Sequence, residues 1–140
     1  METIQLALSE EAVHKCWEAL KTLHETLKKS DFLYEVRKLQ VETGYHLVFI
    51  EKDNKAVSVI GFHISESLAI GKFLQINDLS TLEGFQGKGY VSDLVDWIIE
   101  YARTKKCKQI ISNLENQPED AQAIFQQKGF AIVRQQFAKL

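Results

Sequence analysis

The sequence predicts an α/β fold of the α+β kind, with one mixed, mainly antiparallel sheet flanked by helices. Three observations carry this. Short stretches of strand length, at residues 3–8, 45–53, 56–64, 72–81 and 108–114, are rich in alternating or continuous apolar residues. Between them, apolar residues recur at the three-to-four spacing of helices with one buried face. The resulting order is strand, two helices, three strands, helix, strand, helix, strand, which suits a sheet covered by helices.

Each element follows from local chemistry. "TIQLAL", residues 3–8, reads as the first strand. Ser9 followed by Glu10 and Glu11 suits a helix cap with acids in the first turn, after which Val13, Cys16, Trp17, Leu20, Leu23 and Leu27 share one helical face. A second helix begins near Ser30 and Asp31 and carries Phe32, Leu33, Val36 and Leu39 toward Gly44. "YHLVFIEKD" and "AVSVIGFHI" flank the turn "DNK" as an antiparallel hairpin, and "KFLQINDLST" follows the connector "SESLAIG" as another strand. The clearest helix carries Val91, Leu94, Val95, Ile98, Ile99 and Ala102 on one stripe. Because a helical crossover joins them, "KQIISNL" is expected to lie parallel to the preceding strand. A helix over 118–128, with Pro118 in its first turn and Gly129 at its end, leads into a final strand, "FAIVRQQFA".

Composition limits the function. A chain of 140 residues with no repeat, low-complexity tract or linker is expected to form a single domain over 1–140. Hydrophobic residues make up 45% and charged residues 26%, as in ordinary globular proteins. Seventeen basic residues against nineteen acidic ones give a net charge of −2, so no overall basic field favours nucleic acid. Cys16 and Cys107 lack a paired spacing and read as buried, reduced thiols. His14, His24, His46 and His63 show no ligand spacing, so no metal is expected. His63 reads as an ordinary hairpin histidine, and Trp17 and Trp97 as helix packing. The N-terminus lacks a secretory pattern and no apolar run reaches membrane-spanning length, which points to a cytoplasmic protein without a membrane partner.

The chemistry concentrates in "GFQGKGYVSDLV", where three glycines precede the clearest helix. Such a helix start offers backbone amides to an anion. A triphosphate-binding loop fails on spacing, since Leu82 and Gly89 stand where it needs glycine and a hydroxyl residue. A dinucleotide fingerprint belongs after the first strand of a doubly wound sheet, whereas this loop follows the fourth. "QGKGYV" resembles the acyl-CoA pyrophosphate loop of the GNAT superfamily of N-acetyltransferases, whose pattern is Gln or Arg, two residues, Gly, one residue, Gly or Ala. Gln86 and Gly89 match, and Val91 departs. "AIFQQKGF", residues 123–130, resembles that family's closing helix and Gly-Phe strand entry. "VIGFHISESLAIGKFLQINDLST" is similar to small bacterial members. There His63 stands where arginine is frequent, Asn77 at a first acidic position, and Asp78 matches the second.

The resemblance implies an N-acetyltransferase that moves an acetyl group from acetyl-CoA to an amine of a small molecule or peptide. Leu79, Ser80 and Thr81 would offer backbone groups to pantetheine as an added strand does. Gln86, Gly87, Lys88, Gly89, Tyr90, Val91 and Ser92 would surround the pyrophosphate. Lys88 alone reads as a phosphate contact or a solvated side chain. An amide near Leu79 or Ser80 would meet the developing oxyanion. Asp78 is the candidate base, with a carboxylate bonded to local backbone as the alternative, and Glu83 is a weaker candidate. Counting back from Gly129 and Phe130 puts Phe125 where the family commonly has a tyrosine that protonates the leaving thiolate, and phenylalanine cannot do so. The family's cofactor-contacting asparagine falls on Pro118, with Asn116 two residues earlier. These departures motivate the alternative of a catalytically weak GNAT-like module that binds CoA as a sensor or interaction partner. Many relatives form homodimers, and a single final strand offers an edge for one.

Overall fold

The computed structural model describes residues 2–112, 119–132 and 137–139. Its elements are β1 (Thr3–Leu6), α1 (Glu10–Lys15), α2 (Trp17–Leu20), α3 (Lys29–Thr43), β2 (His46–Lys52), β3 (Lys55–Ser67), β4 (Gly71–Thr81), α4 (Tyr90–Thr104), β5 (Gln109–Ser112) and α5 (Glu119–Gln127). The five strands described form one sheet in the order β1-β2-β3-β4-β5. Every pairing is antiparallel except β4 with β5, which is parallel across the α4 crossover, as predicted. Among the described residues no helix is long and apolar enough to cross a membrane.

The β2–β3 turn shows how residue type sets geometry. Asp53 and Asn54 adopt φ of 51° and 64°, the left-handed pair of a two-residue turn whose twist matches the strands it joins. The next connection differs from expectation, because "SESLAIG" is mostly strand. β3 runs to Ser67 and β4 starts at Gly71, leaving a three-residue loop. Ser67 Oγ accepts from the Ile70 amide at 3.1 Å, and Gly71 closes the turn at φ 86°.

The predicted first helix is also corrected. Ser9 caps it, its Oγ accepting from the Ala12 amide at 3.1 Å, but the helix divides at Cys16. The amides of Cys16, Leu23, His24 and Leu27 bond three residues back, to Val13, Leu20, Lys21 and His24, so the chain tightens into successive turns. Consequently Val13, Cys16, Trp17 and Leu20 are buried while Leu23 is 45% exposed. The centre of the predicted final strand, residues 133–136, lies outside the described residues, as do Asn116 and Pro118. The described residues 130–132 and 137–139 carry no strand.

Hydrophobic burial on both faces organises the sheet. On one face α4 contributes Tyr90, Leu94, Val95, Ile98 and Ala102, packed with Val48, Ile50, Ile60, Phe62, Leu74 and Ile76. On the other, α1 to α3 contribute Val13, Cys16, Trp17, Leu20, Phe32 and Val36, packed with Leu47, Phe49 and Val59. Strand β2 alternates between the two cores, so its apolar run is continuous, as expected of a strand buried on both sides.

Candidate functional site

Strand β4 pairs with a strand on each edge over its first half. Its parallel pairing with β5 runs from Phe73↔Gln109 to Ile76↔Ser112. On its other edge Ile76 faces Phe62 and Asp78 faces Gly61, which leaves Asn77 as an extra residue. Such a bulge bends a strand and increases its local twist. Beyond it, Asp78 to Thr81 remain paired with β3. Leu79 turns its side chain into the α4-side core, and Thr81 Oγ1 lies 2.8 Å from the buried Ser58 Oγ. The side chains of Leu79 and Thr81 are thus both engaged within the fold.

The glycine loop continues directly from that strand. Leu82 N donates to Val57 O at 2.8 Å and Phe85 N to Leu82 O at 3.0 Å, which anchors the loop's start. Gly87 and Gly89 hold φ of 74° and 86°, where residues with a β-carbon are strained. A β-carbon on either would meet nothing within 4 Å, so the space before them is open. Gly89 is the N-cap of α4, and no side chain caps the helix. The orphan amides of its first turn thus face an open approach beside exposed Gln86 and Lys88. The Tyr90 ring is buried and its hydroxyl donates to Glu2 Oε1 at 3.2 Å, so the side chain points away from the loop's open side. Val91 is half-buried against the α4-side core, and Ser92 is half-buried.

On the opposite face, the structure assembles a cluster around Asp78. Tyr45 Oη donates to Asp78 Oδ2 at 2.6 Å, and His24 Nε2 donates to Asp78 Oδ1 at 3.0 Å. Asp78 thus bonds side chains from distant segments, not local backbone. Gly61 makes room for this: a β-carbon there would overlap the Tyr45 hydroxyl and stand 2.6 Å from its Cζ and 2.9 Å from Asp78 Oδ2. Burial, reinforced by the Asp78 charge, pushes the Tyr45 hydroxyl well above its usual range, so it remains a donor. The hydrogen bond to Asp78 raises the His24 pKa against the opposing effect of burial. Nearby, His63 Nδ1 lies 2.7 Å from Asn77 Oδ1, so the hairpin histidine supports the bulge. Glu83 lies exposed in the turn after β4.

Phe125 occupies a different setting. Its ring is 8% exposed and meets Phe130 edge-on, with centroids 5.0 Å apart. A cavity of about 830 Å³ opens beside it among α4, β5 and α5, lined by Ile99, Ala102, Ile110 and Phe130. This cavity touches neither Asp78 nor the glycine loop. Both thiols are free. Burial pushes Cys16 up to about 12, whereas Cys107, expected to be buried, is only half-buried. Among the described residues no group of three His, Cys, Asp or Glu side chains could hold a metal.

His24, Tyr45 and Gly61 escape the sequence reading, and no local pattern could have singled out the first two. Gly61 has a fainter signal, as a glycine inside a strand marks a close approach.

A ribosomal-protein-alanine N-acetyltransferase from Brucella melitensis biovar Abortus 2308 superposes with a TM-score of 0.81 at 20% identity, over 99% of this chain and 98% of that one. Glucosamine-6-phosphate N-acetyltransferase from Arabidopsis thaliana gives 0.77 at 17%, over 100% and 98%. An aminoglycoside N-acetyltransferase in complex with CoA gives 0.81 at 14%, over 100% and 94%. These likenesses establish the fold. The model of the acetyltransferase (GNAT) family matches residues 10–130, and the chain belongs to that family. No curated protein sequence matches it.

Proposed function

We propose that this protein, as a single GNAT domain, transfers an acetyl group from acetyl-CoA to an amine of a small molecule or peptide. The observation that carries the reading is the continuity of the bulged strand β4 with the uncapped glycine loop of α4. Acetyl-CoA supplies a thioester carbon open to attack by an amine. Leu79, Ser80 and Thr81 hold the pantetheine arm by backbone pairing, with an amide at Leu79 or Ser80 donating to the oxyanion. Gln86, Gly87, Lys88, Gly89, Tyr90, Val91 and Ser92 enclose the pyrophosphate, the glycines admitting it close to the backbone and the helix dipole favouring its charge. Asp78 belongs to the base that receives the amine proton.

The test is thermal. Acetyl-CoA at a hundred times its Kd is expected to add about 2.7 kcal/mol of stability, seen as a rise in Tm. Gly89→Val is expected to abolish that rise, because the residue stands at φ 86° before the open approach. A shift that persists in this variant would refute the loop assignment. One observation favours the second reading, a catalytically weak CoA-binding sensor: Phe125 offers no proton to a leaving thiolate and is packed on Phe130. Amine-dependent release of CoA separates the two, since a sensor binds without turnover.

A further inference from the structure

We infer that His24 is the group that accepts the proton of the incoming amine, with Asp78 orienting it and Tyr45 acting as a positioning residue behind Asp78. This rests on the acetyltransferase reading above and names the base within it. Both oxygens of Asp78 are already engaged, Oδ1 by His24 and Oδ2 by Tyr45, and its side chain is 15% exposed. The carboxylate therefore has little freedom to reach a substrate. His24 has that freedom, because its side chain is 40% exposed and its Nδ1 has no protein partner among the described residues. A hydrogen bond to Asp78 Oδ1 fixes the hydrogen on Nε2 and leaves the Nδ1 lone pair free to accept.

Position agrees with the role. Asp78 immediately precedes Leu79 on the edge assigned to pantetheine, and adjacent α-carbons are about 3.8 Å apart. The imidazole thus hangs from the residue next to the oxyanion donor, on the sheet face of α1 to α3. Among the described residues, Asp78 of β4 is the charged group acting on His24, Tyr45 acts on Asp78, and Cys16 acts on Tyr45. Tyr45 and Cys16 both stay neutral, so a single negative charge faces the imidazole and stabilises it once protonated.

The step balances. An acceptor ammonium gives one proton to Nδ1, and the freed amine lone pair attacks the thioester carbonyl carbon to form the C–N bond. The C–S bond breaks with its electron pair on sulfur. The second proton lost from the new amide nitrogen passes through water to the thiolate, and His24 returns its proton to solvent. The products are the N-acetyl amide and free CoA.

Two nucleophiles test this with the full chain and acetyl-CoA. n-Butylamine is an ammonium at neutral pH and needs a base, whereas hydroxylamine is largely unprotonated and does not. His24→Gln is expected to slow CoA release with n-butylamine by roughly 10²-fold or more while leaving hydroxylamine turnover within a few-fold. Equal losses with both nucleophiles, or no loss with either, would overturn the inference. So would wild-type protein that is stabilised by acetyl-CoA yet releases no CoA with either nucleophile. Wild-type protein that acetyl-CoA does not stabilise at all would instead sink the acetyltransferase reading. As an independent measure, NMR titration of the His24 ring in Asp78→Asn is expected to show a lower pKa than in wild type, and an unchanged value overturns the pairing on which the role depends.

Discussion

Gly61 and Asp78 face each other across β3 and β4, and the Tyr45 hydroxyl fills the space a side chain at Gly61 would take. Gly61→Ala is therefore expected to lower stability by about 1–3 kcal/mol, as overpacking against a held ring does, measured by denaturant unfolding. No loss would mean that Tyr45 moves aside easily. A second expectation concerns pH. His24 has a folded pKa above its ordinary 6.5, so its pairing with Asp78 contributes fully below that value. The contribution fades as pH rises through the raised folded value. The Tm difference between wild type and His24→Gln should accordingly shrink above pH ~6.5 to the smaller value left by the neutral hydrogen bond. A difference independent of pH would show that the pair adds nothing as an ion pair.

The bulge at Asn77 divides strand β4 in two. Before it, Phe73 to Ile76 hold β5 in parallel register; after it, Asp78 to Thr81 stay paired with β3. Deleting Asn77 would restore one-to-one pairing without turning Leu79 away from its core, because a bulge contributes one residue more than its partner strand. The expected outcome is a folded protein by circular dichroism whose Tm no longer responds to acetyl-CoA. A retained response would mean that the glycine loop alone holds the ligand. Helix α4 is divided too, with its apolar stripe fixing the axis and its start left uncapped by any side chain.

Across the whole molecule, two cores lie on opposite faces of one sheet and share β2 and β3. Neither face can lose its strands without exposing the other, so a single cooperative transition is expected. Each face carries a tryptophan that can report it. Trp17 packs on Phe32 at 5.1 Å between ring centroids, and Trp97 stacks on Tyr101 at 4.8 Å. Fluorescence midpoints in denaturant should coincide for Trp17→Phe and Trp97→Phe once each is normalised to its own circular dichroism transition. Separate fluorescence and dichroism midpoints would mean that one helical layer detaches first.

The sequence by itself determined the elements whose signal is local. The helical stripe from Val91 to Ala102, the Asp53-Asn54 turn and the glycine loop are short-range patterns, and the resemblance in "QGKGYV" named the family to which the chain belongs. Tertiary structure decided what depends on contacts between distant residues. The break at Cys16 arises where three-residue bonds replace helical ones, a choice that apolar spacing alone does not record. The extra residue at Asn77 exists only relative to Phe62 and Gly61 on the neighbouring strand. Most of all, His24 reaches Asp78 across 54 residues of sequence, and Tyr45 across 33. Periodicity describes which face a residue occupies, whereas only packing brings two faces' polar groups to hydrogen-bonding distance.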